Sequence, residues 1–313
     1  MNNLRVVFMG TPDFAVPCLE MLVKEKYEVV AVVTQPDRPK GRGQKLMPSP
    51  VKEFALNNGL QVIQPAKIKT PEFEHKLSEL NPDIIIVVAF GQILSKRILE
   101  IPPLGCINVH ASLLPRYRGA APIHWAVING ETSTGVTTMF MDVGLDTGDM
   151  ILKAEIAISD SDNTGDIHDK LKELGAITLR DTMTLVQQQK VKRVPQNVDE
   201  ATYAPLLNKD IEKIDWNLSA TQIHNLVRGL NPWPGAYCLY QNKILKIWRT
   251  RVHEADVSTS RPGRVMMVTN EGILIEAGRG VIEILELQPE SKKRMLARDC
   301  ACGYCINVGE IFG

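Results

Sequence analysis

Four kinds of segment are missing from these 313 residues, and each absence excludes something. No run reaches the roughly 18 consecutive apolar residues that a membrane-crossing helix needs. The longest candidate, Ile84 to Phe90, is strand-sized, so a soluble chain is expected. No basic stretch leading into an apolar segment and a small-residue cleavage site precedes the first strand pattern, Leu4 to Met9, which predicts a cytoplasmic protein. Charge of one sign is not in excess: 36 Lys and Arg face 36 Asp and Glu, so any nucleic-acid contact must come from a local patch. Nor is there a disulfide framework, since Cys18, Cys106 and Cys238 are isolated. Cys300, Cys302 and Cys305 form a C-x-C-x-x-C cluster, but no histidine follows and no fourth ligand is evident nearby, so no metal is expected there.

What is present reads as an α/β protein. Leu4 to Met9 is a buried first strand, Gly10-Thr11-Pro12-Asp13 a turn, and Phe14 to Glu25 a helix. Val29 to Val33, Ile84 to Ala89 and Cys106 to His110 follow as apolar runs between helical segments, the pattern of a Rossmann-like, doubly wound, mostly parallel sheet. The turn at Gly10 lacks the second and third glycines that let a pyrophosphate approach the backbone, which argues against a nicotinamide enzyme. Further on, Val136 to Met141 and Ile151 to Ile158 read as strands, and Asn163 or Thr164 as the cap of a helix burying Ile167, Leu171, Leu174 and Thr178, with His168 on its solvated side. The proline-bearing stretch 190–208 reads as a linker between a catalytic domain, 1–189, and a second domain, 209–313. Short alternating segments at 237–240, 244–250, 263–268, 273–276 and 281–287 suggest that this second domain is a small OB-like β-barrel.

The densest polar chemistry in an apolar setting lies between Leu104 and Trp125. Asn108 and His110, two apart on a strand, project from one face. At the carboxyl end of a parallel strand, an amide donor and an imidazole suit a carbonyl or a developing oxyanion; buried in isolation, the same pair is a satisfied core histidine beside a turn former. Pro115 and Gly119 prevent the strand from continuing, so a shaped loop follows the pair. A second candidate loop, Asp142 to Asp149, carries Asp142, Asp146 and Asp149 without the terminal glutamate of a calcium loop, and turn chemistry accounts for Asp142 and Asp149. A third, Thr34 to Pro50, is too rich in proline and glycine for a regular element and holds Arg38, Lys40, Arg42 and Lys45 against Asp37 alone. On charge alone it is either a phosphate-binding arm or a solvated loop.

The fifteen positions from Asn108 to Pro122, N-V-H-A-S-L-L-P-R-Y-R-G-A-A-P, resemble the signature of the folate-dependent formyltransferases. That resemblance implies Asn108, His110 and, in Gly-Leu-Asp-Thr-Gly, Asp146 as catalytic residues. It implies 10-formyltetrahydrofolate as donor, held by Ser112, Leu113, Leu114 and Pro115, by Phe90, Gly91 and Gln92, and by the Val143 to Thr147 loop, with no metal required. The basic arm, with Arg42 in Gly-Arg-Gly, resembles that of members acting on initiator methionyl-tRNA, as does Asn231-Pro232-Trp233-Pro234-Gly235-Ala236. It implies tRNA contacts through Arg38, Lys40, Arg42 and Lys45 and a tRNA-binding C-terminal domain; a monomer without an obligate protein partner is expected, though nothing in the sequence fixes the oligomeric state. Two alternatives remain open at this point: a formyltransferase for a small amine such as a nucleotide-linked amino sugar, and a non-catalytic RNA-binding protein. The cysteine-rich end departs from the family pattern and leaves the last turn of the barrel open.

Overall fold

The computed structural model describes residues 4–40, 45–258 and 261–313. In chain order it runs β1 (Arg5–Gly10), α1 (Val16–Lys24), β2 (Glu28–Val33), β3 (Arg38–Lys40), β4 (Lys45–Met47), α2 (Pro50–Asn57), β5 (Val62–Ile63), α3 (Pro71–Glu79), β6 (Ile84–Val88), α4 (Lys96–Leu99) and β7 (Cys106–His110). β8 (Arg118–Gly119), α5 (Pro122–Ile128), β9 (Ser133–Phe140), β10 (Met150–Ala157), α6 (Thr164–Gln187) and β11 (Tyr203–Ala204) follow. After them come α7 (Ala220–Gly229), β12 (Ala236–Tyr240), β13 (Lys243–Ser258), β14 (Val265–Val268), β15 (Ile273–Glu276), β16 (Arg279–Pro289), β17 (Met295–Leu296) and α8 (Ala297–Tyr304).

Two compact units result, one of residues 1–119, 134–156 and 168–204, the other of 120–133, 157–167 and 205–313. They interleave along the chain, unlike the consecutive division expected above, because α5 and the start of α6 fold with α7. The Thr164 hydroxyl donates to the Gly229 carbonyl (2.7 Å), and a Cβ on Gly229 would clash with Ile128.

In the first unit a seven-stranded sheet has the order β10-β9-β7-β6-β1-β2-β5. β1 pairs in parallel with β2 and β6, β6 with β7 and β2 with β5, while β7 meets β9 antiparallel. All five residues of β6 are buried, as befits a strand covered on both faces. One face is filled by Val7, Met9, Ile85 and Val87 packed with Phe73, Leu77 and Ile98. Helix starts are satisfied locally: Ser49, Thr70 and Ser95 accept the N–H three residues on in α2, α3 and α4. At α6 the cap is Asn163, whose Oδ1 accepts from Gly165 and Asp166 while Asp166 accepts from Asn163. The stretch Thr34 to Pro50, expected without regular structure, contains the β3–β4 antiparallel pair, with Arg38 opposite Met47 and Lys40 opposite Lys45. His168 is not on a solvated face either: it is half-buried, edge-on to Phe14 at 5.4 Å between ring centroids.

The second unit contains an antiparallel sheet in the order β12-β13-β16-β15-β14, with β17 on β16. α7 begins at a reciprocal capping box of Ser219 and Gln222 and buries Ile223, Leu226 and Val227. The end of the chain joins the two edges of the sheet. Gly309 N–H donates to Val265, and Val265 N–H to Glu310, on the β14 side, while Gly313 exchanges both backbone bonds with Leu239 of β12. Phe312 seals the join, 1 % exposed, against Trp216 and Tyr240. The segment that the cysteine pattern left open is therefore the strip that closes the barrel.

Candidate functional site

Asn108 and His110 occupy β7 as expected. Asn108 lies level with Val87 of β6 and Met139 of β9, and His110 with Thr137 of β9. In the same register Gly10 of β1 stands beside Val88 of β6, so the loops after β1, β6 and β7 leave one edge of the sheet, the carboxyl edge. His110 is 6 % and Asn108 9 % exposed. Among the described residues the Asn108 amide bonds to no protein group.

The His110 ring is held in one orientation. Its Nε2 lies 2.9 Å from the Tyr117 carbonyl, and because a carbonyl only accepts, Nε2 carries the proton. Its Nδ1 faces Asp146, whose Oδ2 is 3.7 Å away. That carboxylate oxygen also accepts the Gly119 N–H at 2.8 Å. Gly119 has φ +120°, and a Cβ there would meet the Ala204 carbonyl at 2.7 Å. Only glycine accommodates both the conformation and the approach.

The loop between His110 and Tyr117 is pinned from beneath. The Thr137 hydroxyl, wholly buried, donates to the Ser112 carbonyl (2.7 Å) and accepts from Leu114 N–H (3.1 Å). Ser112 donates its own hydroxyl to the Arg116 carbonyl (2.7 Å). Of the residues expected to hold a donor here, Ser112 and Leu114 direct their side chains inward, Leu114 onto Met139 and Met150, while Leu113 keeps partial exposure. After β6, Phe90 belongs to the core and its carbonyl accepts from both Thr11 and Gln35 (3.1 Å each), whereas Gly91 is exposed with φ +83°. Gln92 uses its amide oxygen on the Ile68 N–H. The loop after β9 exposes Val143 and Leu145.

Three residues of the site were given no role from the sequence, Arg118 although it lies within the signature. Arg118, 3 % exposed, donates Nε and Nη2 to Gln196 Oε1 (3.0 and 2.7 Å), and Gln196 Nε2 donates to the carbonyls of Asp146 and Gly148 (2.8 Å each). Thr202 accepts the Tyr117 N–H at its hydroxyl (2.8 Å) and the Arg118 N–H at its carbonyl (2.8 Å). Gln196 and Thr202 lie in the stretch read as a linker, where nothing local distinguishes them from solvated polar residues.

Of the basic arm, Arg38 donates to Gln35 and is exposed, while Arg42 lies outside the described residues. Asp37, the arm's one acid, is tied to Lys52 (2.7 Å) and Gln64 (2.7 Å). In the second unit three cations on β13 are engaged at home, Arg249 with Glu286 at 2.9 Å, Arg251 with Glu271 at 2.6 Å and with Glu283, and Lys246 with the Pro234 carbonyl at 2.8 Å, while Lys243 is exposed. Lys246 and Arg294 both lie over the Trp248 ring, at 5.6 and 5.5 Å from its centroid, so it stacks on cations of its own unit. Away from β7, Asp13, His168 and Asp169 bring three ligand-type atoms within 4.8 Å of one another, with Lys172 already bonded to Asp169.

Residues 4–183 match the model of the formyl transferase family, and residues 206–305 match that of the formyl transferase C-terminal domain. The chain belongs to the formyl transferase family. It is 52 % identical over 310 residues to a methionyl-tRNA formyltransferase of Acetivibrio thermocellus, covering 99 % of this chain and 100 % of that one. The methionyl-tRNA formyltransferase of Clostridioides difficile is 53 % identical over 310 residues, with the same coverage. Among solved formyl transferase structures, the N-formyltransferase of Helicobacter canadensis, in complex with folinic acid and dTDP-3-aminofucose, aligns with TM-score 0.70 at 22 % identity over 91 % of this chain and 99 % of that one. HypX of Aquifex aeolicus with tetrahydrofolic acid aligns with TM-score 0.64 at 15 % identity, covering 99 % of this chain and 49 % of that one. These structural likenesses are of fold.

Proposed function

We propose that this formyl transferase moves the formyl group of 10-formyltetrahydrofolate to the α-amino group of initiator methionyl-tRNA, with Asn108, His110 and Asp146 as its catalytic residues. The observation that carries the reading is the end-to-end identity of about half its residues with enzymes of that name, joined to an imidazole–carboxylate pair at the carboxyl edge of the sheet. The donor suits that edge: exposed Val143 and Leu145 offer apolar walls to a flat ring, and the backbone around Gly91 offers polar groups.

Asn108 offers an uncommitted amide N–H to the formyl oxygen as it becomes an oxyanion. His110 contributes from Nδ1, which donates only when the ring carries both protons; the Asp146 carboxylate is then its counter-charge. When the acceptor amine bonds to the formyl carbon it must lose a proton, and Asp146, directly or through water, receives it and returns one to the departing donor nitrogen. Positioning carries much of the rest, since both substrates offer binding surface remote from the reacting atoms. Arg38, Lys40, Arg42 and Lys45 and the unit containing 209–313 are assigned to the tRNA.

The test is transfer of labelled formyl from 10-formyltetrahydrofolate to initiator methionyl-tRNA, with elongator methionyl-tRNA, free methionine and a nucleotide-linked amino sugar as parallel acceptors. Strong preference for the initiator is expected. Transfer to the amino sugar alone would move the acceptor to the small amines, and transfer to none would remove the assignment.

A further inference from the structure

Two backbone positions of the candidate site stand where L-residues rarely go. Asp146 has φ +54° and Tyr117, whose carbonyl holds His110, has φ +60°. A left-handed residue is disfavoured by contact of its Cβ with the backbone and persists only where its surroundings over-determine it. The groups that hold both positions come from one short piece of chain. Gln196 gives both amide hydrogens to the carbonyls of Asp146 and Gly148, and Thr202 takes the N–H of Tyr117 on its hydroxyl and that of Arg118 on its carbonyl. Arg118 completes the arrangement. With Nε and Nη2 both on Gln196 Oε1, it fixes which way the amide faces, because a flipped amide would set NH₂ against guanidinium and oxygen against two carbonyls.

We infer that residues 196–202 clamp the catalytic pair, Gln196 setting the position of Asp146 and Thr202, through Tyr117, that of His110; the inference rests on the catalytic roles proposed above. Neither residue touches the reacting atoms, so both are positioning residues. Beside the Gly119 N–H on Asp146 Oδ2, one segment braces both sides of the 3.7 Å gap between Nδ1 and Oδ2, and loosening either side changes the alignment of the pair without altering the pair itself. Misplacement of a catalytic group by about 1 Å is worth roughly a hundredfold in rate.

The discriminating variants are Gln196→Glu, of the same shape but with no hydrogen to give the two carbonyls, and Thr202→Val, with Thr202→Ser as the conservative partner that restores the hydroxyl. Each is assayed in the full-length enzyme for kcat and for KM of both substrates, alone and combined with Asp146→Asn, and its thermal unfolding is recorded. Gln196→Glu and Thr202→Val are expected to lower kcat about 10- to 100-fold with both KM values within about threefold, Thr202→Ser to restore it, and Gln196→Glu to cost far less in the Asp146→Asn background, since residues acting as a unit are non-additive. A loss that is multiplicative with Asp146→Asn, or confined to KM, or accounted for by a smaller folded fraction, would overturn the clamp. Full activity of Asp146→Asn itself would instead overturn the catalytic assignment on which the clamp rests.

Discussion

At the scale of single residues, the site depends on polar atoms whose partners are fixed by geometry. If His110 works as proposed, His110→Ala loses orders of magnitude in turnover while tRNA binding stays close to wild type, because the ring is 6 % exposed and offers little contact surface; filter binding beside a turnover assay checks this. Thr137 acts one layer deeper. Its hydroxyl satisfies the Ser112 carbonyl and the Leu114 N–H at once, within a fully buried position. Thr137→Val keeps the shape and strands both groups, each costing about 1–3 kcal/mol when unsatisfied. The expected result is a destabilisation of about 2 kcal/mol or more in denaturant unfolding, with turnover reduced as the loop after His110 loosens.

At the scale of elements, the tail and α7 give the sharpest consequences. Phe312 is buried against Trp216 and Tyr240 at the closure of the sheet, so Phe312→Ala removes a ring from a packed core and the strip's anchor together. A loss of about 3–5 kcal/mol is expected from calorimetry of the full chain. On α7, burial pushes the His224 imidazole below its ordinary value, with Nε2 donating to the Asp160 carbonyl (3.1 Å) and Nδ1 accepting from Thr250 (2.9 Å). The fold thus prefers the neutral ring and binds fewer protons than the unfolded chain, so this stability is fully present above about pH 6.5 and is lost as pH falls below it. Melting followed from pH 8 to pH 5 should show that decline in the wild type and less of it in His224→Gln. What the sequence made legible follows the same division. β7 and β15 were readable to within a residue and the start of α6 to its cap because periodicity and caps are local signals. As candidates, Asn108 and His110 stood out within a signature of fifteen consecutive residues, and Asp146 in the separate Gly-Leu-Asp-Thr-Gly. Gln196 and Thr202 were not, since their partners lie about 50 and 85 residues away in the chain. The β3–β4 pair was hidden by its prolines and glycines, and the closing strip by its cysteines, because both depend on backbone pairing that side-chain patterns do not encode.

At the scale of the whole molecule, charge balance makes the proposed tRNA contact local. With 36 cations against 36 anions there is no global attraction to a polyanion. On β13, Lys246, Arg249 and Arg251 are bonded within their own unit, whereas Arg38 is exposed on a segment whose nearest acid, Asp37, is already paired with Lys52. If the arm supplies the phosphate contacts, the dependence of tRNA affinity on salt should reside there. Each phosphate neutralised contributes about 0.9 to the slope of log affinity against log salt, so replacing Arg38, Lys40, Arg42 and Lys45 with glutamine should flatten that slope by about 3 to 4 units. Between 50 and 200 mM salt, the wild type would then lose about a hundredfold more affinity than the variant. The 10-formyltetrahydrofolate KM should not change between the two, because that ligand is assigned to the loops after β6, β7 and β9. A slope equal to that of the wild type would place the phosphate contacts elsewhere, and the exposed lysines Lys292 and Lys293 of the second unit would be the next to replace.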